Sequence, residues 1–139
     1  MPPILVDTSF LYTLNDLADR NRGKALKFVA DRKDDVFVIP QVVLTETAYM
    51  LVTHVNERAL MNFWDSLSSP RIQLEPVTKS DLVRAKAIRL QYADAHLDFV
   101  DCCIMALAER LNISQICTFD RRDFSVFKPS HAEYLELLP

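Results

Sequence analysis

The segment 99–123, FVDCCIMALAERLNISQICTFDRRD, constrains the fold more than any other part of this 139-residue chain. It opens with an almost wholly apolar run, in which Asp101 is the only charged residue between positions 99 and 108. It then continues through a short apolar run that leads into Asp120. The first run has the length of a buried helix and the second that of a buried strand. Two carboxylates are therefore predicted at the edges of the hydrophobic interior.

Short apolar runs alternate with amphipathic segments along the whole chain. The runs predict strands at 3–6, 36–39, 72–77 and 115–118, and a strand or an extended tail at about 133–137, with the third strand at a sheet edge because it contains Pro76. Helices are predicted at about 9–19, after the break at 21–23, and at 41–55, 56–68, 78–93 and 99–111, with a loop after Asp123. This alternation predicts an α/β sandwich around a central, mostly parallel sheet, with residues 1–139 forming one domain.

Composition excludes some classes of protein. Half of the residues are hydrophobic and a quarter are charged, which is typical of a globular chain rather than a disordered one. No apolar run reaches about 18 residues and no signal peptide is recognisable, so we expect no membrane association. Three cysteines, two of them adjacent, all lie in apolar runs, which indicates buried free thiols in a reducing, cytoplasmic environment. The net charge of −3 does not exclude a nucleic-acid partner, because site carboxylates account for much of it.

Carboxylates follow two of the predicted core strands. Asp7 comes directly after the first strand, and Asp120 lies two residues beyond the strand at 115–118. Ligands bind beyond the carboxyl ends of parallel strands, so both side chains are expected at one edge of the sheet. Each is alternatively a helix or turn cap, since aspartate is common in that role.

Two further acids lie in apolar surroundings. Glu46 shares a helical stripe with Val42, Val43, Tyr49 and Met50, where an uncompensated carboxylate is costly; a solvated edge of the stripe is the alternative. In the helix at 99–111, Asp98 is the more natural cap, which leaves Asp101 free for another role, although Asp101 also interacts favourably with the helix dipole.

Four carboxylates brought together repel one another, and a hard divalent cation relieves that repulsion. Mg²⁺ prefers oxygen ligands, and the scattered positions of His54, His96 and His131 argue against zinc. Such a site suits phosphodiester hydrolysis, in which the metal activates a water and a carboxylate assists its deprotonation. Arg121 and Arg122 flank Asp120 and are candidates for phosphate contacts or, equally, a solvated charge pair.

The early VDTS, a glutamate on the helix after the second strand, and VDCCIMALAERLNISQICTFDRRDF together resemble the PIN-domain family, in particular its VapC-type toxins. The resemblance implies a three-layer sandwich and an Mg²⁺- or Mn²⁺-dependent endoribonuclease that acts on RNA. It also implies a small antitoxin partner, whose tail occupies the site or a nearby groove, and commonly a homodimer. The family's functional positions fall here on the acids Asp7, Glu46, Asp101 and Asp120, on the hydroxyls of Thr8 or Ser9 and Thr118, and on a more variable auxiliary position at Asp123.

Three other functions remain open from the sequence. A housekeeping PIN nuclease has the same acids as a toxin. A PIN-like module that binds RNA or protein without cleavage is disfavoured because all four acids are present. A phosphoacceptor signalling domain requires adjacent acids after the first strand and a lysine after the last, whereas this chain has a lone Asp7 and Arg121.

Overall fold

Five strands form the central sheet in a computed structural model that describes residues 2–139. They are β1 (Ile4–Val6), β2 (Phe37–Pro40), β3 (Ile72–Glu75), β4 (Gln115–Cys117) and β5 (Glu136–Leu138). Their spatial order is β3-β2-β1-β4-β5, and all four neighbouring pairs are parallel. The predicted α/β sandwich with a parallel sheet is confirmed, and so is the edge position of β3.

Helices flank both sides of this sheet. Within residues 2–139 they are α1 (Thr8–Asn15), α2 (Arg22–Asp31), α3 (Gln41–His54), α4 (Glu57–Ser66), α5 (Lys79–Gln91), α6 (Phe99–Leu111) and α7 (Arg122–Val126), with a 3-10 turn at Ala93–Ala95. Helix α1 packs against α2, α3 and α4, whereas α5 packs against α6. None of the helices in the described part of the chain is long and apolar enough to span a bilayer.

The helix ends follow the capping residues of the sequence, with some exceptions. Asn56 caps α4 by accepting a hydrogen bond from the Ala59 N–H, and the sequence Thr78-x-x-Asp81 forms a capping box at the start of α5. Helix α1 was predicted to reach position 19 but ends at Asn15, because the Asp16 side chain accepts from the Ala18 N–H and favours a turn. The loop predicted after position 123 is wrong, since α7 occupies it, and β5 begins at 136 rather than 133.

Helix α6 forms the centre of the core. All residues from 102 to 108 are buried, and Cys102, Cys103 and Cys117 are buried free thiols as predicted. The helix ends at Asn112, which takes a left-handed conformation with φ of 55°. A run of seven buried residues covers every face of the helix, so α6 lies inside the core, and Asp101 in its first turn lines the cleft at the end of the helix.

The helical periodicity of residues 78–93 predicts an inward face made of Leu82, Ala85, Ile88 and Leu90, and this prediction is partly wrong. Ala85 and Ile88 are buried as expected, but Leu82 and Leu90 are exposed by 43% and 64%. The buried position of the first turn is instead Asp81, whose carboxylate accepts from Arg110 of α6 at 2.9 Å and 3.1 Å. A paired carboxylate tolerates this burial because the guanidinium satisfies it, and apolar periodicity does not reveal such a pair.

Candidate metal-dependent active site

The chain reverses its direction of winding between β1 and β4, which are neighbours at the middle of the sheet. From β1 it proceeds outward through β2 to β3, and then returns to β4 and β5 on the other side. Asp7 follows β1 at this point, and its N–H donates to the Cys117 carbonyl at 3.1 Å. Ligands of parallel α/β proteins bind in the crevice formed by such a reversal.

An open cleft of about 410 Å³ lies at this edge of the sheet. All four acids predicted for the site line it, although they come from the ends of two strands and from helices α3 and α6. The complete lining consists of Asp7, Thr8, Ser9, Glu46, Met50, His96, Asp98, Asp101, Asp120, Arg122 and Asp123. The fold therefore assembles six carboxylates in one cleft.

Asp7 is buried and surrounded by hydrogen-bond donors. Its Oδ1 accepts from the Phe10 N–H at 3.0 Å and from the Ser9 hydroxyl at 2.8 Å, and its Oδ2 accepts from the Thr118 hydroxyl at 2.5 Å. Burial nevertheless raises the pKa of Asp7 to about 6, against the lowering effect of these donors. Asp7 thus caps α1, which is one of the two roles that the sequence predicts for it, and it also lines the cleft.

The hydroxyls that orient Asp7 also hold Asp120. The Asp120 N–H donates to Thr118 Oγ1 at 2.9 Å and to Ser9 Oγ at 3.2 Å, and Ser9 also accepts from the Phe119 N–H at 2.9 Å. These bonds join the chain after β4 to the first turn of α1. They fix the backbone of Asp120 relative to the carboxylate of Asp7.

Asp98 and Asp101 have the separate roles that the sequence indicated. Asp98 caps α6 by accepting from the Val100 N–H at 3.1 Å, whereas Asp101 lies in the first turn without that role. Burial raises the pKa of Asp101 to about 9, with further contributions from the carboxyl groups of Asp123, Asp7 and Asp98. Without a cation, Asp101 therefore keeps its proton at neutral pH.

Asp123 is more central than the peripheral position assigned to it from the sequence. Only 6% of it is exposed, and its carboxylate accepts from the Asp98 N–H at 3.0 Å and from Arg122 Nε at 3.1 Å. Burial acts to raise the pKa of Asp123, but the Asp98 N–H, Asp101 and Arg122 lower it below its usual range. Asp123 thus joins α7 to the start of α6, next to Asp101.

Glu46 lines the cleft, but the prediction that it lies in a buried apolar stripe of α3 is wrong. The buried face of α3 consists of Val43, Thr47 and Leu51, and Tyr49 is 67% exposed. Glu46 is only partly buried, so it lies at the solvated edge of that face. Its place beside Asp7 comes from the packing of α3 on α1 rather than from an apolar environment.

The chemistry of the donors fits a hard divalent cation. The lining offers carboxylate and hydroxyl oxygens, and the buried Thr8 Oγ1 has no hydrogen-bond partner within the described chain. Among residues 2–139, no group of three His, Cys, Asp or Glu side chains is arranged closely enough to hold a metal ion together. Mg²⁺ keeps several waters and takes only one or two carboxylates directly, so such spacing is compatible with it.

Arg121 and Arg122 are the basic residues for which the sequence suggested phosphate contacts, and the structure separates them. Arg121 donates to the Pro139 carbonyl and is absent from the described cleft lining, so its proposed phosphate contact lacks support. Arg122 does line the cleft, with Nε on Asp123 and Nη2 on the Ala95 carbonyl. His96, regarded only as one of three scattered histidines, also lines it.

Replacement of Thr118 by valine tests the hydrogen bonds around Asp7. Thr118 is fully buried, and valine keeps its shape while removing the donor to Asp7 and the acceptor for the Asp120 N–H. We expect the free energy of unfolding to fall by about 1–3 kcal/mol, because a buried carboxylate loses its partner. Urea unfolding of the metal-free protein measures this change.

Thr47→Val is the matched control for that substitution. Thr47 is also fully buried, but its Oγ1 has no hydrogen-bond partner among the residues described. Removal of an unsatisfied hydroxyl is expected to leave stability unchanged or to increase it. Equal losses in the two variants would contradict a specific role of Thr118.

Comparison with known proteins agrees with this geometry. The sequence model of the family described as PIN domain matches residues 4–128. The chain is similar to Ribonuclease VapC26 of Mycobacterium tuberculosis (strain ATCC 25618 / H37Rv), with 26% identity over 136 residues that cover 98% of this chain and 100% of that protein.

Two solved structures share the fold. The crystal structure of Mycobacterium tuberculosis VapC20, described as a sarcin–ricin loop cleaving toxin, has a TM-score of 0.80 and 26% identity, and covers 93% of this chain and 98% of that chain. VapBC2 from Rickettsia felis, bound to a promoter DNA fragment, has a TM-score of 0.69 and 16% identity, with coverage of 97% and 96%. Because the family match extends from β1 to beyond α7, the chain belongs to the PIN domain family, and its named relatives include VapC-type members.

Proposed function

We propose that this protein is an Mg²⁺- or Mn²⁺-dependent endoribonuclease and the toxin of a toxin–antitoxin pair. The observation that carries the proposal is the convergence of six carboxylates and an unsatisfied threonine hydroxyl on the cleft between β1 and β4. Support for RNA as the substrate comes from the relatives, one named a ribonuclease and another a toxin that cleaves the sarcin–ricin loop.

Asp7, Glu46, Asp101 and Asp120 are the residues that would hold the cation. When bound, a divalent cation polarises the phosphoryl oxygen and lowers the pKa of a coordinated water. Asp101 would lose its proton to become a ligand, since its pKa lies well above neutrality in the metal-free protein. A carboxylate not engaged with the metal would accept the proton of the attacking water.

The surrounding residues keep the acids in place. Ser9 and Thr118 fix the orientation of Asp7 and the backbone of Asp120 through the hydrogen bonds described above. Asp123 holds the start of α6 beside them. Such prior orientation contributes to rate because the ligands need not be ordered when substrate binds.

Cleavage of labelled RNA tests the proposal directly. The purified chain is incubated with single-stranded RNA and with a sarcin–ricin hairpin, in Mg²⁺, Mn²⁺ or EDTA. We expect strand scission with either metal, loss of scission in EDTA and recovery when metal is restored. Scission that persists in EDTA would contradict metal dependence, and an absence of Mn²⁺ binding in isothermal titration calorimetry would favour the non-cleaving module.

The toxin role has its own test, because a housekeeping nuclease would have the same chemistry. Expression of the chain is expected to stop growth, and co-expression of the small protein encoded next to its gene is expected to restore growth. The proposed homodimer is measured by light scattering on the purified chain. Unimpaired growth at high expression would favour the housekeeping nuclease.

A further inference from the structure

His96 has an unusual backbone conformation at the rim of the cleft. Its φ and ψ are 50° and 52°, in the left-handed region that residues other than glycine rarely occupy. Such a conformation costs free energy and persists only where neighbouring contacts impose it. These contacts can be identified on both sides of His96.

The residues on either side of His96 are bound by consecutive residues of α7. Arg122 Nη2 donates to the Ala95 carbonyl at 3.0 Å, and the Asp123 carboxylate accepts from the Asp98 N–H at 3.0 Å. The His96 N–H itself donates to the Ala93 carbonyl at 3.3 Å. The segment that carries His96 is therefore fixed to the same elements that carry the acids.

Binding of RNA at this cleft requires hydrogen-bond donors for its phosphates. Six carboxylates line it, and they repel RNA wherever a cation does not neutralise them. Only His96 and Arg122 contribute side-chain nitrogens to the described lining. Arg122 already uses Nε and Nη2 within the protein, whereas neither ring nitrogen of His96 has a partner among residues 2–139.

We propose that the His96 imidazole donates a hydrogen bond to a phosphate of the RNA backbone at the rim of the cleft. This role rests on the proposed function, because it assumes that RNA enters the cleft. It deepens that function by naming a residue that positions the substrate beside the acids. His96 lines the cleft, and the hydrogen bonds from Arg122 to the Ala95 carbonyl and from the Asp98 N–H to Asp123 hold the segment that carries it in place.

His96→Gly separates this role from a purely structural one. Glycine adopts the left-handed conformation without strain, so the variant is expected to keep or raise the melting temperature. With short single-stranded RNA in Mn²⁺, we expect KM to rise about tenfold, as for a lost hydrogen bond to a charged group, while kcat stays within about twofold. His96→Asn keeps an N–H donor in a residue that tolerates this conformation, so a smaller rise in KM is expected.

Asn112→Gly provides the matched control. Asn112 has a φ of 55° at the end of α6 and does not belong to the described lining of the cleft. The same backbone change there is expected to leave KM unchanged. An equal rise of KM in both glycine variants, or an unchanged KM in His96→Gly, would overturn the role of His96.

The outcomes distinguish this inference from the proposed function. If the wild-type protein cleaves RNA and His96→Gly has the same KM, the inference fails and the nuclease function stands. If the wild-type protein cleaves no RNA, the nuclease function fails, and fluorescence anisotropy with the same RNA decides the inference. Weaker binding by His96→Gly than by Asn112→Gly would then support the phosphate contact, and equal binding would overturn it.

Discussion

Replacement of Asp101 by asparagine is expected to reduce metal-dependent RNA cleavage by about 10³-fold. The amide keeps the size of the side chain but removes the negative charge required of a metal ligand. Metal ions contribute several kcal/mol to stabilising the transition state of phosphoryl transfer, and about 1.4 kcal/mol corresponds to a factor of ten. Single-turnover cleavage of labelled RNA in saturating Mn²⁺ measures the loss.

Loss of activity in this variant must be separated from loss of structure. Asp101 carries its proton in the metal-free protein, so asparagine, which is neutral, is compatible with the folded state. The circular dichroism spectrum is therefore expected to remain that of the wild type. Asp65→Asn, at an exposed position of α4, is the control and should cleave normally. Cleavage by Asp101→Asn within threefold of the wild type would contradict its assignment as a metal ligand.

The sequence predicts which acids meet in the cleft because the parallel sheet constrains where its strands end. Asp7 follows β1 and Asp120 follows β4, and these strands are neighbours at the reversal of winding. The separation of roles between Asp98 and Asp101 also follows from helix geometry, since only one residue can cap α6. In these cases the local pattern and the global fold agree.

Glu46 shows where residue patterns mislead. Hydrophobic neighbours at three and four residues suggested a buried carboxylate, yet the buried face of α3 passes through Thr47 instead. A polar residue in a core face and an exposed aromatic such as Tyr49 both disturb the periodicity. The position of Glu46 in the cleft depends on how α3 packs against α1, which is a tertiary property.

The residues whose roles were underestimated from the sequence act through contacts between distant segments. Asp123 was assigned only an auxiliary position just before a predicted loop, but it lies in α7 and accepts from the N–H of Asp98. His96 takes a left-handed conformation that no glycine marks. Neither the hydrogen bond between Asp98 and Asp123 nor the conformation of His96 follows from local propensity, because both depend on the packing of α7 against the start of α6.

The metal-free protein is expected to lose stability as the pH rises from about 4 to 9. The folded-state pKa values of Asp7 and Asp101 are about 6 and about 9, above the ordinary value of 3.8. The folded state therefore binds more protons than the unfolded chain in this range, so the free energy of unfolding falls with increasing pH. Each extra proton that the folded state retains lowers the free energy of unfolding by about 1.4 kcal/mol per pH unit.

Glu109 has the opposite effect on the free energy of unfolding at low pH. Burial acts to raise the pKa of Glu109, but hydrogen bonds from Arg84 and Ser130 bring it down to about 2. Its contribution to stability is present above the ordinary pKa of 4.5 and is lost as the pH falls toward 2. The metal-free protein should therefore be most stable at about pH 4, where the two effects balance.

Urea unfolding in EDTA at pH 5, 6.5 and 8 measures this dependence. Asp101→Asn is expected to be more stable than the wild type at pH 8 and to show a weaker pH dependence, because asparagine does not titrate.

Addition of Mn²⁺ should stabilise the wild type more at pH 8 than at pH 6.5, since binding displaces the proton of Asp101, and should stabilise the variant much less. Identical pH profiles for the two proteins in EDTA would show that Asp101 is not the group that keeps its proton. Equal stabilisation of both by Mn²⁺ would place the cation elsewhere and would leave the carboxylates of the cleft without the role proposed for them.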